Sequence, residues 1–505
     1  MGVAMIWMVA AGVTAALALS WVVSALSRFV WRPRAITRAF RAQGVRGPGY
    51  RFRNIREIKR LLVQSAGLVL DVGCHDYGAL VQPYFRKWMA QYGRTFVSWP
   101  GERPELFMGD VDMVKQVLSD RTGLFPKNPV NDHFTRLLGK GLILIDGDEW
   151  KRHRKVVHPV FNVDKLKMLA ITVSDCVESM LSDWEAKLEK KIGQVEIDVT
   201  CQFEEVAAEV ISHVAFGRDH KEAKEVYLAQ RELQFLAFSS IFNVFNLIPA
   251  FRYLPTKSNL KMHALEKEVR SVLINIINNR LNCKETMGYG NDMLGIIMNT
   301  CALEHAHNPL MSMDEIIEEC KTFYLAGHET TTQLLTWTMF LLSTHSEWQE
   351  NLREEVMREC GREIPTADVV NNMKLVNMFI LETLRLYGPL GGIRVPEGTI
   401  LSTPIKTIHR DKELWGKDAE DFKPQRFENG ASRAAKHPYA FLPFSMGPRA
   451  CIGQNFTMIE VKVVFATILQ RFSVSLSPKY VHVPMDVFTI RPRYGLQVVL
   501  KSLQM

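Results

Sequence analysis

The chain has 505 residues, of which 47% are hydrophobic and 23% are charged, and its formal net charge is +8. This composition excludes a disordered protein, because the apolar fraction is large enough to form a sizeable core. The eight cysteines are scattered without a C-x-x-C pair, which argues against a disulfide framework and a zinc site and fits a reducing compartment.

An uncharged segment begins the chain. Residues 1–27 contain no charged side chain, and residues 3–26 are long enough for a membrane-spanning helix of about 20 residues. A cleaved signal peptide normally has a basic start and an apolar region of about 7 to 15 residues, and neither is present. We therefore predict that residues 1–27 form a retained transmembrane anchor.

A basic segment follows directly. Residues 28–60 contain eleven basic side chains and one acidic side chain, Glu57, so the remaining chain is slightly acidic. The overall positive charge therefore gives no reason to expect a nucleic-acid partner. Basic residues next to an apolar span favour a cytosolic location for the following domain. Pro33 and the Gly47-Pro48-Gly49 turn predict a stiff linker over residues 28–60, between the anchor and one large domain over residues 61–505.

Apolar residues recur at helical spacing over much of this domain. The predicted helices cover residues 164–190, 203–216, 259–281, 313–346, 347–360, 371–387 and 453–471. Strand-like alternation is short and local, at residues 96–99, 399–403 and 496–500. The sequence therefore predicts a mainly α protein with small peripheral β-sheets.

The predicted helix over residues 313–346 carries an acid and a hydroxyl side by side, Glu329 and Thr330. His328 and Glu329 also match the start of the H-E-x-x-H zinc motif, but its second histidine is replaced by Thr332. A metalloprotease site of this type is therefore excluded.

A single thiol, Cys451, lies between two glycines and just before the last predicted helix. Gly447 permits a turn that a side chain would obstruct, and Gly453 permits a flat macrocycle to approach the first helical turn. The helix N-terminus is expected to stabilise the thiolate and to lower the pKa of this thiol. Arg449 suits a carboxylate, which a guanidinium binds through two parallel hydrogen bonds. The spacing from Phe444 to Gly453 thus predicts a thiolate ligand for haem iron.

This loop resembles the cysteine-ligand loop of the cytochrome P-450 monooxygenases. Four other motifs resemble landmarks of that family and follow in the family's order: Trp150-Lys-Arg-His-Arg154, Ala326-Gly-His-Glu-Thr-Thr331, Glu382-Thr-Leu-Arg385 and Phe422-Lys-Pro-Gln-Arg426-Phe427. The likeness covers nearly the whole chain. It implies the cytochrome P-450 fold, preceded by one N-terminal transmembrane helix, with haem b (iron protoporphyrin IX) as cofactor.

The resemblance also implies which residues hold the haem. Cys451 is expected to be the axial ligand of the iron, and the arginines of the two motifs are expected to bind the propionates. The full set of expected haem-binding residues is Cys451, Arg449, Phe444, Gly447, Gly453, Trp150 and Arg154. Arg426 is expected to join Glu382 and Arg385 in a buried ion-pair network.

Three residues of the central motif are expected to act in catalysis. Glu329 and Thr330 would deliver protons to oxygen where the helix opens locally, and Gly327 would leave room for dioxygen. The alternative for Thr330 is a hydrogen bond to its own helix backbone, which is common for threonine in helices.

The resemblance implies a reaction and its partners. The expected activity is insertion of one oxygen atom from O2 into a lipophilic small molecule, a fatty acid, terpenoid or hormone-like compound of the kind oxidised by plant microsomal relatives. Electrons would come from an NADPH-dependent flavoprotein reductase. Together with the anchor and the basic segment, the resemblance implies a single-pass protein of the endoplasmic reticulum membrane with a cytosolic catalytic domain.

One segment departs from the family. In relatives, a strand that lines the haem follows the E-x-x-R helix, whereas residues 387–396 here run almost directly into the Pro396-Glu-Gly-Thr399 turn. About one strand of 5 to 6 residues is therefore expected to be missing after Pro389. Two alternatives to a working monooxygenase stay open: a haem-binding but catalytically impaired variant, and a haem-thiolate isomerase or dehydratase.

Overall fold

A computed structural model describes residues 2–50, 52–99, 103–127, 132–191, 193–217, 222–241, 255–284, 288–304, 310–388, 399–487 and 489–503. The expected fold class is confirmed, because helices dominate and the sheets are small. The predicted strand deletion after Pro389 lies outside the described residues.

The helices occur along the whole chain. In the first half they are α1 Gly2–Leu26, α2 Arg32–Ala42, α3 Phe52–Ser65, α4 Gly78–Val81, α5 Pro83–Tyr92, α6 Val111–Leu118, α7 Asp132–Leu138, α8 Gly147–Val157, α9 Val163–Lys190, α10 Val199–Phe216, α11 Glu222–Ile241 and α12 Lys257–Asn282. In the second half they are α13 Met293–Glu304, α14 Met313–Thr344, α15 Ser346–Cys360, α16 Ala367–Asn372, α17 Lys374–Tyr387, α18 Ile405–Ile408, α19 Lys412–Trp415 and α20 Gln454–Arg471.

Within the described ranges, the strands form three small sheets. They are β1 Phe96–Ser98, β2 Glu105–Phe107, β3 Val195–Asp198, β4 Ile400–Ser402, β5 Phe472–Leu476, β6 Pro484–Val487, β7 Thr489–Pro492 and β8 Gln497–Ser502. The sheet orders are β1-β2-β4, β3-β8-β5 and the hairpin β6-β7. Among the strands of the described residues, only the β2–β4 pair is parallel, with Glu105 opposite Ile400.

The N-terminal helix continues beyond the predicted anchor. Helix α1 passes through a π-helical turn, Ser27–Trp31, into α2. The 36-residue stretch Trp7–Ala42 is long and apolar enough to cross a membrane, with a mean hydropathy of 2.0 in its best window and none of that window buried. Pro33 does not interrupt this path, because it lies in the first turn of α2, where a missing N–H costs little.

Residues 28–60, the predicted linker, have two parts in the structure. Its first part is helical, and its second part packs on the large domain. The Val97 amide donates to the Arg46 carbonyl at 3.0 Å, and a Cβ on Gly47 would lie 1.8 Å from the Val97 oxygen. Gly47 is thus required because the chain contacts β1 directly, and not because the segment must bend freely.

Helix α14 runs through the core and positions the central motif. A capping box begins it, with Ser312 accepting from the Glu315 amide while the Glu315 carboxylate accepts from the Ser312 amide. Its first half packs into one apolar cluster and its second half into another, so residues 326–331 lie where these clusters meet. A helix that is apolar on most faces is expected to be buried in this way.

The ion-pair network around α17 confirms the expectation from the E-x-x-R motif. Glu382 and Arg385 are both buried and form a bidentate pair with N–O distances of 2.6 and 2.7 Å. Arg385 also donates to the carbonyls of His409 and Asp421, at 2.8 and 3.0 Å. Arg426 lies beside Glu382 at 3.5 Å. The network therefore joins α17 to the segment that leads to the cysteine loop.

Candidate active site

A cavity of about 310 Å³ lies between α8, α14 and the loop before α20. Several sequence-predicted residues line it together: Trp150, Arg154, Gly327, Thr330, Arg449, Cys451 and Gly453. The remaining lining is mainly apolar and was not predicted from the sequence: it includes Leu142, Ile143, Val160, Phe161, Ile211, Val214, Met293, Phe323 and Phe456. The thiol and the hydroxyl of the two main motifs thus share one apolar enclosure.

The cysteine loop is held by its own backbone. The Cys451 amide donates to the Phe444 carbonyl at 2.9 Å, which closes the loop just before α20. Gly447 adopts φ +72°, and a Cβ there would lie 2.2 Å from the Leu118 oxygen. Both facts require glycine. The Phe444 ring is partly buried against the core and is absent from the cavity lining, so Phe444 contributes its carbonyl to the site.

The electrostatics of the Cys451 thiol differ from the expectation. Burial raises the pKa of Cys451, whereas the Gly453 amide and the positive charge of Arg154 act to lower it. The pKa of the Cys451 thiol is therefore raised where a lowering was expected, because desolvation of the thiolate outweighs the Gly453 amide and Arg154 together. A bound metal ion removes this proton directly, since a coordinating thiol is deprotonated.

Three cations surround one edge of the cavity. The guanidinium carbons of Arg154 and Arg449 lie 6.0 and 5.9 Å from the Trp150 ring centre. Arg449 also pairs with Asp146. Lys127, which no sequence motif indicated, donates to the Leu142 carbonyl at 2.7 Å, and burial lowers its pKa to about 8.

This edge fits the two carboxylates of haem. No acidic side chain of the described residues lines the cavity, although three cations do. Burying several cations together is costly unless anions join them. The ligand for iron also fits, because the Cys451 thiol lines this cavity. The space beside the neighbouring Gly453 is open, since a Cβ added there would meet no atom closer than 3.8 Å.

Gly327 makes a close contact with a neighbouring helix that the sequence did not indicate. A Cβ on Gly327 would lie 2.8 Å from the Cδ1 atom of Ile211 on α10. The missing side chain therefore permits close packing of α10 on α14, while Gly327 itself also lines the cavity.

Glu329 and Thr330, the acid and the hydroxyl of the central motif, lie in different environments. Thr330 lines the cavity, and its Oγ1 donates to the Ala326 carbonyl at 2.7 Å, the alternative expected for threonine in a helix. Glu329 is buried outside the cavity lining. Its Oε1 accepts from Thr489 at 2.6 Å and from Arg491 at 2.7 Å. The structure therefore does not bring Glu329 and Thr330 together at the cavity.

Comparison with known proteins identifies the family. The family described as Cytochrome P-450 matches residues 67–498. The chain belongs to the cytochrome P-450 family. It is 43% identical to cytochrome P-450 709B3 of Arabidopsis thaliana, over 96% of this chain and 97% of the relative. It is 37% identical to cytochrome P-450 CYP72A616 of Paris polyphylla, over 97% and 98% of the two chains.

Solved structures confirm the fold. The haem domain of cytochrome P-450DA superimposes with a TM-score of 0.72 at 22% identity, over 84% of this chain and 94% of that structure. The protein is thus a haem-binding monooxygenase of the plant P-450 type, an oxidoreductase that uses O2 and electrons from a redox partner.

Proposed function

We propose that this cytochrome P-450 is a membrane-anchored hydroxylase of a lipophilic fatty acid, terpenoid or hormone-like compound. The observation that supports it most is that Cys451 and Thr330 line one apolar cavity with a cationic edge. In this proposal the uncharged residues 1–27 span the endoplasmic reticulum membrane. The basic residues after it keep the catalytic domain cytosolic, within reach of an NADPH-dependent flavoprotein reductase.

The residues at the cavity would hold the haem in a fixed orientation. Cys451 would bind the iron through its sulfur, while Arg154, Arg449 and Lys127 would bind the propionates. Trp150 would fix the two guanidinium groups by stacking between them. When bound, haem with a thiolate ligand supplies the electron density that favours cleavage of the O–O bond.

The apolar lining favours a lipophilic substrate. Phenylalanine and aliphatic side chains cover most of the cavity wall, including Phe161, Phe323 and Ile211. Such a surface binds by removing apolar area from water and gives few hydrogen bonds for orientation. A substrate that partitions into the membrane would also reach this anchored domain from the bilayer.

A test of the whole proposal combines two measurements. The reduced, carbon monoxide-bound protein should show the red-shifted Soret band of a thiolate-ligated haem. A panel of fatty acids and terpenoids should then give substrate-binding spectral shifts and oxygen-dependent products with a reductase. Turnover that needs neither oxygen nor electrons would instead establish the alternative, a haem-thiolate isomerase or dehydratase.

We infer that Thr330 delivers protons at the cavity. Its Oγ1 donates to the Ala326 carbonyl and can turn to donate into the cavity, because the hydroxyl rotates about one bond. Glu329 would join the delivery only after releasing Arg491 and Thr489, so in this arrangement it chiefly holds the β6–β7 hairpin.

Thr330→Ala is expected to retain haem and to divert electrons from product to peroxide. The reason is that general acid groups contribute about 100- to 10,000-fold to proton transfer. The measurement is product formed per NADPH consumed, with peroxide assayed in parallel. Thr336→Ala is a matched control, because Thr336 makes the same backbone bond further along α14, to the Thr332 carbonyl, and does not line the cavity. Unchanged coupling in Thr330→Ala would contradict the assignment.

A catalytically impaired variant remains the second candidate. Strand β4, which follows the predicted gap, pairs directly in parallel with β2. In relatives an additional strand precedes this turn and lines the haem. Without that wall, substrate would be held less well at the iron, and small misplacements can cost about 100-fold in rate. Haem binding would be weakened but retained, because Cys451, Arg449, Trp150 and Arg154 lie elsewhere in the chain.

Inserting a relative's strand between Leu390 and Gly391 is therefore expected to raise haem occupancy and hydroxylation together. The measurements are haem per chain and turnover rate. A glycine and serine insertion of equal length at the same place is the control, since it adds chain but no strand. Full haem loading and efficient hydroxylation by the native chain would show that the deletion is harmless.

A further inference from the structure

Three potential metal ligands meet where α9 packs beside α10. Cys176 lies on α9, and Glu209 and His213 lie on α10, four residues apart on one helix face. The Cys176 Sγ atom is 3.6 Å from His213 Nδ1, and the three potential ligand atoms lie within 4.8 Å of one another. None of these residues lines the haem cavity.

The sulfur–nitrogen distance matches one edge of a zinc coordination tetrahedron. Zinc binds cysteine sulfur at about 2.3 Å and histidine nitrogen at about 2.0 to 2.1 Å with tetrahedral angles. These bond lengths place the two ligand atoms about 3.6 Å apart. The same separation is present here between Cys176 and His213. An ion could therefore bind both atoms with little movement of either side chain.

The three potential ligands differ in burial, which suits a metal ion with three protein ligands and one coordination position open to water. Cys176 is buried, His213 is half-buried and Glu209 is exposed, so the carboxylate approaches from the solvent side. A set of one sulfur, one nitrogen and one oxygen favours zinc, because hard cations such as calcium and magnesium prefer oxygen ligands. Water would complete the tetrahedron.

A second cluster of potential ligands already contains a cation. Glu149, His153 and Glu315 also lie close together. There, Glu315 already binds Arg152 and accepts from the Ser312 amide, and His153 Nδ1 bonds the Glu319 carboxylate at 2.6 Å. Arg152 therefore already neutralises the Glu315 carboxylate in this cluster. The contact between Cys176 and His213 joins a sulfur and a nitrogen that a single zinc ion can bind together.

We propose that Cys176, Glu209 and His213 bind one zinc ion that joins α9 to α10. Binding would replace the thiol proton of Cys176, which is released to solvent, by a bond between zinc and the thiolate. The ion would restrain α10 against its neighbour. Because Ile211 and Val214 on the same helix line the haem cavity, the zinc site would also stabilise one wall of that cavity.

The test uses the full-length protein with haem bound, so that Cys451 is not available to zinc. The protein is dialysed against a weak chelator, titrated with zinc against a chromophoric competitor, and assayed for metal content. The expected result is one zinc ion per chain in the native protein. His213→Ala and Glu209→Gln should reduce bound zinc to background, and added zinc should raise the thermal midpoint only in the native protein.

Matched controls separate ligation from general damage. Glu205→Gln and Cys201→Ser change exposed residues of the same helix and should keep the full zinc content. Cadmium should give a sulfur-to-metal ultraviolet band that Cys176→Ser removes. Each variant must keep the carbon monoxide spectrum, which shows that its haem domain is folded. Absence of zinc binding by the native protein, or equal zinc content in His213→Ala, would overturn the proposal.

Discussion

Cys451→Ser is expected to abolish both the thiolate-type carbon monoxide spectrum and all monooxygenase turnover. Serine keeps the loop geometry, since the Cys451 amide would still donate to the Phe444 carbonyl. It removes the soft, strongly donating sulfur, and an alkoxide cannot replace it because a serine hydroxyl is far less acidic than a thiol. The measurements are the reduced carbon monoxide difference spectrum, haem content, and product formation with a reductase.

Cys360→Ser is the matched control for this prediction. Cys360 is a partly buried cysteine on α15, and its Sγ lies 3.2 Å from the Val356 carbonyl in the same helix. A serine hydroxyl can make the same bond, so spectrum and turnover should be unchanged. If Cys451→Ser retained the thiolate-type band, another residue would have to bind the iron and the assignment of Cys451 would be wrong.

Arg385→Met is expected to destabilise the protein by about 3 to 5 kcal/mol, because it leaves the buried Glu382 carboxylate without its bidentate partner. The carbonyls that Arg385 now satisfies would also lose their donors. The measurements are urea unfolding followed by fluorescence and, separately, haem retention. Arg433→Met, at an exposed arginine, controls for the change of residue type and should leave the unfolding midpoint nearly unchanged.

The loss of folding stability in Arg385→Met should depend on pH. Burial raises the pKa of Glu382 above its ordinary value of 4.5, and Arg385 opposes that rise. Without Arg385 the folded-state pKa rises further, so the folded protein holds a proton that the unfolded chain releases. Stability is then lost as pH increases above about 4.5. The deficit of Arg385→Met should therefore be larger at about pH 8 than at about pH 5.

A double variant distinguishes a lost ion pair from lost packing. Glu382→Leu combined with Arg385→Met removes both charges, and replacing a buried pair by apolar residues is often neutral or stabilising. The double variant should therefore recover part of the stability that Arg385→Met loses. A double variant that is less stable than either single one would show that the pair acts mainly through its backbone contacts.

The sequence by itself determined the family, the haem ligand loop and the E-x-x-R pair. These features are local, because their residues lie within about ten positions of one another. Spacing along the chain therefore fixes their arrangement on one loop or one helix face. The left-handed backbone of Gly447 and the bidentate pair of Glu382 and Arg385 were predictable for this reason.

The tertiary structure alone decided which groups from distant segments meet these motifs. Glu329 is adjacent to Thr330 in the chain, yet it contacts Arg491, because successive residues on a helix point about 100° apart and the β6–β7 hairpin packs on that side. Gly327 packs closely against Ile211 of α10, a contact that the motif alone does not indicate. Lys127 joins the cationic edge of the cavity from a segment without any motif. Contacts between residues of distant segments depend on how helices and loops pack against one another. The spacing of residues within one segment does not contain that information.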